Sequence, residues 1–315
     1  MPATRTPVRS RAAGLALLLA SSLALTACGG GSSPSAAALL KETLSTHRPI
    51  ASGQLAASLT LAGASGRQAS SLHLAARFQA AASGRLPDFA LSLGLTQTAR
   101  ELAVGAVSMQ GRLFLALGGA WFLVPEGAAQ ALARGYAQSG GAPTLSGGSA
   151  LSRIGVDAAR WLTSPRIAGS VKLAGEDTIE ILASVDGSRF LADAQRLSQA
   201  LTSPVGAQLS DPSDPLSLRR ISNGPEPRGW TMHVHTGAHD HILRRLAMAV
   251  TVLISTPTSG NSSRTRELGT LSFTLAVARP NQPQTIAAPA NTRPLSRLGA
   301  ALERLGLARG SPPGG

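Results

Sequence analysis

Four of the six histidines fall in one short segment, His233–His241. Imidazoles at this spacing could coordinate Zn²⁺, because histidines two residues apart on a strand point to the same face. His233 and His235 would share that face, and a turn could bring His241 towards His235. No cysteine is nearby and Asp240 is the one carboxylate in the segment, so a polar strand face leading into a polar turn is the simpler interpretation. We therefore expect no metal or other cofactor, with His233, His235 and His241 as the candidate ligands if a metal does bind.

The single cysteine, Cys28, follows a segment that has the parts of a secretory signal peptide in their usual order. Three arginines precede an apolar stretch over residues 12–24, which is too short to span a bilayer comfortably. The stretch ends in Leu25-Thr26-Ala27-Cys28, which resembles the bacterial lipobox. That resemblance implies cleavage before Cys28, diacylglycerol on its sulfur, and a lipid anchor on the outer, extracytoplasmic side of the cell membrane. A lone cysteine also excludes a disulfide framework and any paired-cysteine site.

Removal of residues 1–27 takes away three arginines and no acid, so the net charge falls from +13 to +10 over the remaining 288 residues. Such a basic domain is attracted to anionic headgroups, which favours the membrane as a partner. Aromatic residues make up 3% of the chain, too few for the stacking surfaces that single-stranded nucleic acid needs. We expect a flexible Gly/Ser tether over 28–35, one domain over 36–307, a disordered tail over 308–315, and a monomer that binds no nucleic acid.

The motifs of common enzymes are missing from the sequence. It contains no Gly-x-Ser-x-Gly elbow, no His-Glu-x-x-His and no phosphate-binding loop. Its carboxylates are few and fall mostly in predicted turns, as at Asp88, Glu126, Asp211 and Asp214, so nothing suggests an acid/base pair in a cleft. We expect a protein that is not an enzyme.

Apolar residues alternate with polar ones in several consecutive runs, each bounded by Gly, Ser or Pro. This period of two predicts antiparallel strands with one apolar face. The first three runs place these residues on that face: Leu55, Ala57, Leu59, Leu61; Leu72, Leu74, Ala76, Phe78; and Phe89, Leu91, Leu93, Leu95. The alternating partners, such as His73 and Arg77, belong to the opposite face.

The same pattern continues, with turns at Gln110-Gly111 and Gly118-Gly119 and a Pro-rich loop over 203–229. Further strands are predicted over 102–109, 112–117, 120–124, 167–174, 178–185, 230–236, 242–253 and 271–277, about eleven strands in total. Helices are predicted before Pro49, after Pro125, over Ser188–Leu201 and near Leu295–Leu305, with a short helix capped by Asp157. An antiparallel sheet of this size must curl, and the helices can cover one face. We predict an α+β fold, a single large antiparallel half-barrel with a few helices covering its concave face.

The apolar face is either a packed core or the lining of a cavity, and the sequence leaves both open. Small residues at Ala57, Ala76 and Ala106 leave volume that a lipid chain could fill. We expect the opposite, polar face to be exposed and helix Ser188–Leu201 to lie over the apolar one, enclosing a pocket of roughly several hundred Å³. The candidate cavity residues are Leu72, Leu74, Phe78, Phe89, Leu91, Leu93, Phe190 and Leu197.

A family resemblance rests on the order of these features between Ser52 and Leu298. A lipobox and short helix lead to a meander that ends in residues 120–125 (Ala-Trp-Phe-Leu-Val-Pro), and residues 159–162 (Ala-Arg-Trp-Leu) precede paired strands ending in Val185-Asp186. A lid-like helix and closing strands follow. The arrangement resembles the LppX/LprAFG lipoproteins of actinobacteria, which are similar in fold to the LolA and LolB carriers. This resemblance implies an open half-barrel that accepts acyl chains, with no catalytic residues.

The sequence thus favours a membrane-anchored envelope lipoprotein that binds, and could carry, lipid or another amphiphile in an apolar cavity. One alternative is a structural or interaction lipoprotein whose core is filled. Another is an envelope metal-binding module centred on the histidine segment.

Overall fold

The computed structural model of the chain describes residues 34–44, 49–63, 69–81, 85–97, 100–138, 145–146, 157–202, 216, 218, 221–223, 229–257 and 264–304. All elements below belong to one compact unit, Ser35–Gly315. Cys28, most of the predicted tether and the predicted tail lie outside the described residues, so the predicted segment boundaries stay predictions. Among the described residues, no helix is long and apolar enough to cross a membrane.

The described part of the chain contains four α-helices and fifteen strands. The helices are α1 (Ala36–Leu44), α2 (Glu126–Gln138), α3 (Gly187–Thr202) and α4 (Leu298–Arg304). The strands are β1 (Pro49–Ile50), β2 (Ser52–Gly63), β3 (Ala69–Gln79), β4 (Asp88–Gln97), β5 (Arg100–Met109), β6 (Arg112–Leu117), β7 (Ala120–Leu123), β8 (Leu145–Ser146), β9 (Leu162–Leu173), β10 (Glu176–Val185), β11 (Ile221–Asn223), β12 (Trp230–Gly237), β13 (Leu243–Pro257), β14 (Arg264–Ala278) and β15 (Thr292–Pro294).

One large sheet has the strand order β15-β7-β6-β5-β4-β3-β2-β14-β13-β12-β10-β9, and β11 pairs with β13 beside this path. Neighbouring strands are antiparallel except β15, which pairs parallel with β7. The sheet is open, because its edge strands β15 and β9 do not pair with each other in the described part of the chain. This architecture confirms the predicted α+β half-barrel.

Strand register gives β2, β3 and β4 one apolar face and one face of polar and small residues. Leu72 lies between Leu59 on β2 and Leu95 on β4, and all three side chains are buried. His73, the next residue of β3, pairs with Ser58 and points the other way, where it is exposed. The predicted division of these strands into an inner and an outer face is therefore correct.

The helices pack on the apolar face. Leu39 and Leu40 of α1 and Phe190 of α3 belong to the main hydrophobic cluster with the strands. The other two helices contribute Ala129 of α2 and Ala301 of α4 to two smaller clusters near β6 and β7. The opposite face is exposed along β3, as the alternation predicted, but not throughout, because Val107 of β5 and Phe114 of β6 lie on it and are 5% and 1% exposed.

The predicted two-residue turns are present. Gln110 and Gly111 have φ of 52° and 80°, and Gly118 and Gly119 have φ of 55° and 80°. Positive φ at both central residues suits the right-handed twist of a hairpin, and glycine adopts it without strain. These turns fix the register of β5, β6 and β7.

The structure differs from the sequence prediction in its short and polar strands. β14 begins at Arg264 rather than at Leu271, because its polar first residues still pair along β13. β11 lies within the predicted Pro-rich loop, and β15 lies within the predicted Pro-rich connection after Val277. The segment before β15 runs along the polar face, where the backbone N–H of Gln284 donates a hydrogen bond to Gln79 Oε1 at 2.9 Å. Such pairings depend on contacts between distant parts of the chain and leave no local period.

Candidate functional site

All six strand residues proposed for the cavity lie on the apolar face, and the structure divides the eight candidates among different surroundings. Leu72, Leu93 and Phe190 are buried in the main cluster. Leu74 and Leu197 pack against that cluster and are partly exposed. The remaining three lie apart from it: Phe89 packs in the cluster of Leu113, Val124 and Ala129, Phe78 is buried elsewhere on the face, and Leu91 belongs to none of the three clusters.

A partly exposed row of apolar side chains crosses this face. We call it the apolar strip; its residues are direct cross-strand neighbours from β2 to β6, in the order Leu55, Ala76, Leu91, Ala106 and Leu115. Five strands at the usual spacing give it a length of about 19 Å. The strip is therefore apolar and partly exposed, although most of the face around it is buried.

Packed regions flank the apolar strip. On one side, the adjacent row is Ala57, Leu74, Leu93, Val104 and Leu117, of which Leu93 and Leu117 are buried and the others partly exposed. The row beyond it, Leu59, Leu72 and Leu95, is 3–6% exposed within the main cluster. On the other side, Ser108 and Leu113 are 0% and 6% exposed. The strip therefore lies between two packed regions, and in Ala76 and Ala106 it carries small side chains that fill little of the space between them.

Helix α2 borders the strip and is buried most deeply near its first turn. Ala129 is its only buried residue, and it packs in the cluster that contains Leu113 and Phe89. Ala133 and Tyr136, further along the helix, are partly buried, whereas Leu132 is 55% exposed. The sheet therefore covers α2 less completely beyond its first turn.

Helix α3 is positioned by aromatic packing. The Phe190 ring lies 5.1 Å from Trp161, 5.3 Å from Phe273 and 6.2 Å from Trp230 between ring centroids, each in an edge-to-face arrangement. Phe273 belongs to β14 and Trp230 to β12, so the first half of α3 packs over these strands. The sequence predicted α3 over the apolar face, but it could not show that aromatic residues from three elements would hold the helix beside β12 and β14.

A buried carboxylate reinforces this position. Asp193 is 6% exposed, and its Oδ2 accepts hydrogen bonds from Trp161 Nε1 at 2.9 Å and from the Asp157 backbone N–H at 3.2 Å. Arg196 forms an ion pair with the other oxygen. Asp157 caps the short 3₁₀ turn that the sequence predicted as a short helix. The network ties α3 to the segment that leads into β9.

A groove of about 490 Å³ lies on the opposite, outer face of the sheet. Small side chains on neighbouring strands form it: Ala56, Ser58, Ala75, Ser92, Gly94 and Ala103, with His73 and Thr274 beside them. The alternation of the strands predicted only a solvated polar surface here. The alanines on this face of β2, β3 and β5 are the sequence feature that could have predicted the groove.

The histidine segment forms β12 and the turn after it. His233 and His235 share the outer face, opposite buried Met232 and Val234, as the alternation predicted. His233 Nδ1 lies 2.7 Å from Glu180 Oε1. His241 Nδ1 lies 2.8 Å from Glu42 Oε2 of α1. Across the described ranges, no group of three or more His, Cys, Asp or Glu side chains could hold a metal ion.

The charged and polar contacts of this hairpin stabilise the fold. Burial lowers the pKa of His235, and the nearby Glu180 carboxylate opposes that shift only in part. Burial alone would also lower the pKa of Arg244, but its hydrogen bonds to Asp240 and Glu176 outweigh burial and raise it. Thr43 of α1 donates to Thr236 at 2.9 Å. These contacts fasten α1, the helix that follows the predicted tether, to the end of β12.

No protein-family model matches the chain, and no curated protein matches it. Similar solved structures include LprF from Mycobacterium bovis, at 11% identity over 81% of this chain and 97% of that one, with a TM-score of 0.35. Lipoprotein LppX from Mycobacterium tuberculosis matches at 11% identity over 80% and 98%, with a TM-score of 0.33. A putative outer membrane lipoprotein-sorting protein domain from Vibrio parahaemolyticus matches at 7% identity over 79% and 93%, with a TM-score of 0.20.

LprF and LppX fall in the LppX/LprAFG group that the sequence resembles, and the lipoprotein-sorting domain agrees with the LolA-like part of that resemblance. Identities and TM-scores are low. The likeness therefore transfers no ligand, partner or site residue to this chain.

Proposed function

We propose that this protein is a lipoprotein of the cell envelope that binds a lipid or another amphiphile on the apolar face of its half-barrel. The observation that supports the proposal is the apolar strip, which is partly exposed between packed regions of the same face. Exposed apolar surface of this kind is unfavourable in water and favourable against an acyl chain. The function needs apolar volume and no catalytic group.

The energy available from such a site is large. Burial of one methylene contributes about 0.8 kcal/mol, so ten methylenes of one chain contribute roughly 8 kcal/mol before the cost of ordering the chain. The strip, about 19 Å long, offers an extended surface for a single chain. Leu74 and Leu197, which are partly exposed at the edge of the main cluster, would contact the same ligand.

The proposed location follows from the N-terminus. Acylated Cys28 would hold the domain at the outer side of the cell membrane, since two acyl chains anchor a protein stably where one does not. The net charge of +10 after cleavage would add attraction to anionic headgroups. A monomer could then take up an amphiphile from the adjacent bilayer.

A pair of variants tests this proposal. Ala106 and Ala103 lie on the same strand, β5, with Ala106 on the apolar face and Ala103 on the outer face. Ala106→Trp would fill the strip, and we expect it to reduce the uptake of a fluorescent fatty-acid probe strongly. Ala103→Trp is the matched control, and it should leave uptake unchanged. Equal uptake by the two variants would contradict binding at the strip.

The second candidate is a structural lipoprotein with a filled core. Leu72 and Leu93 are 5% and 8% exposed without any ligand, which favours this alternative for that part of the face. It predicts that the wild-type protein takes up no lipid probe, and that Leu74→Trp destabilises the fold by about 1–3 kcal/mol through overpacking. The binding proposal instead predicts uptake by the wild type and its loss in Leu74→Trp, with the fold retained.

A further inference from the structure

We infer that Ser108 is the polar contact of this site, where its hydroxyl donates a hydrogen bond to the carbonyl oxygen of an acyl ester. The inference rests on the proposed function and narrows its ligand from amphiphiles in general to lipids that carry an ester beside the chain. Ser108 lies on β5 at the edge of the apolar strip, two residues from Ala106 and on the same face.

Ser108 is fully buried and its Oγ has no hydrogen-bond partner in the part of the chain that the structure describes. Its direct cross-strand neighbours are Phe89 on β4 and Leu113 on β6. A buried hydroxyl without a partner is unfavourable, and most such groups in folded proteins are paired. Alanine would avoid this cost in the same apolar row.

An ester in this position would satisfy the hydroxyl. The carbonyl oxygen accepts the Ser108 Oγ–H hydrogen bond, and the acyl chain extends from it along Ala106 and Leu91 of the strip. Phe89 and Leu113 exclude water from the bond, which strengthens it relative to a bond in water. A saturated hydrocarbon could occupy the strip but would leave the hydroxyl unpaired.

Access to Ser108 depends on α2. Leu113, the neighbour of Ser108, packs in the same cluster as Ala129, so α2 covers this end of the face. Ala129 is the one buried residue of this helix, while Ala133 and Tyr136 are partly buried and Leu132 is 55% exposed. A small displacement of α2 would open the space above Ser108, and the ester of the ligand would then lie between α2 and the sheet.

The test compares two probes of equal chain length, 1-monopalmitoylglycerol and hexadecane, by binding to the purified protein. Ser108→Ala removes only the hydroxyl, and Ser92→Ala on the exposed outer face is the matched control. We expect Ser108→Ala to weaken monopalmitoylglycerol binding about 5- to 10-fold, the size of one buried hydrogen bond, and to leave hexadecane binding unchanged. Ser92→Ala should change neither. The melting temperature of ligand-free Ser108→Ala should equal or exceed that of wild type.

The outcomes separate the two proposals. If wild type binds neither probe, the proposed function fails. If wild type binds both probes and Ser108→Ala binds monopalmitoylglycerol as tightly as wild type does, the role of Ser108 is wrong while the apolar site stands. An equal loss of both probes in Ser108→Ala, with a lowered melting temperature, would show that the residue is structural and would also overturn the inference.

Discussion

Enlarging an alanine on the apolar face should have opposite effects at two positions. Ala106 lies in the apolar strip and is partly exposed, whereas Ala183 on β10 is 2% exposed within the main cluster. Substitution by leucine adds three carbon atoms in either case. Overpacking at Ala183 should cost about 1–3 kcal/mol, because the added atoms force neighbours from their positions. In a domain of this size, each kcal/mol corresponds to a fall of about 2–4 °C in melting temperature.

At Ala106, which is partly exposed, the added carbons would lie beside Leu91 and Leu115. Each methylene that becomes buried contributes about 0.8 kcal/mol, so Ala106→Leu should leave the free energy of unfolding unchanged or raise it by up to about 2 kcal/mol. Urea unfolding followed by tryptophan fluorescence measures both variants, with a constant slope confirming that the midpoints report stability. A loss for Ala106→Leu as large as that for Ala183→Leu would refute the reasoning, because it would show that the strip is already filled.

Four other results are expected. Cys28→Ser should release the protein from the membrane fraction, and retention at the wild-type level would exclude the lipobox interpretation. EDTA, and the double substitution His235→Ala with His241→Ala, should each change the melting temperature by less than roughly 3 °C, whereas a structural metal would give a large fall. Because burial lowers the pKa of His235 below its unfolded value of 6.5, its contribution to stability should be lost as the pH falls from 7 to 5, and His235→Gln should show a smaller loss. Asp193→Ala should destabilise the fold by about 1–3 kcal/mol, measured in urea, since it leaves the Trp161 indole N–H buried and unpaired.

The faces of the central strands could be predicted because one face is buried and the other is not. Alternation at Leu72, His73 and Leu74 shows which side chains share a face, and a shift of one residue would expose the whole apolar set. Local turn chemistry at Gln110-Gly111 likewise specifies the hairpin between β5 and β6. These features depend on neighbouring residues only, so they are visible in the sequence.

Features that depend on distant contacts could not be predicted. The Glu42–His241 pair joins residues 199 positions apart, and no local pattern connects them. Alternation also places Ser108 on the apolar face, but its lack of a hydrogen-bond partner follows from the packing of Phe89 and Leu113 around it. The same holds for the apolar strip, whose exposure depends on where the helices end.

Native mass spectrometry of the protein purified from its own membranes tests the central claim most directly. The anchor at Cys28 is covalent and would stay on the chain, whereas a lipid in the apolar strip would dissociate on collisional activation. We predict one non-covalent lipid bound to the wild-type protein and its absence from Ala106→Trp, with Ala103→Trp resembling wild type. A wild-type spectrum without any non-covalent lipid, under conditions that preserve such complexes, would contradict the account.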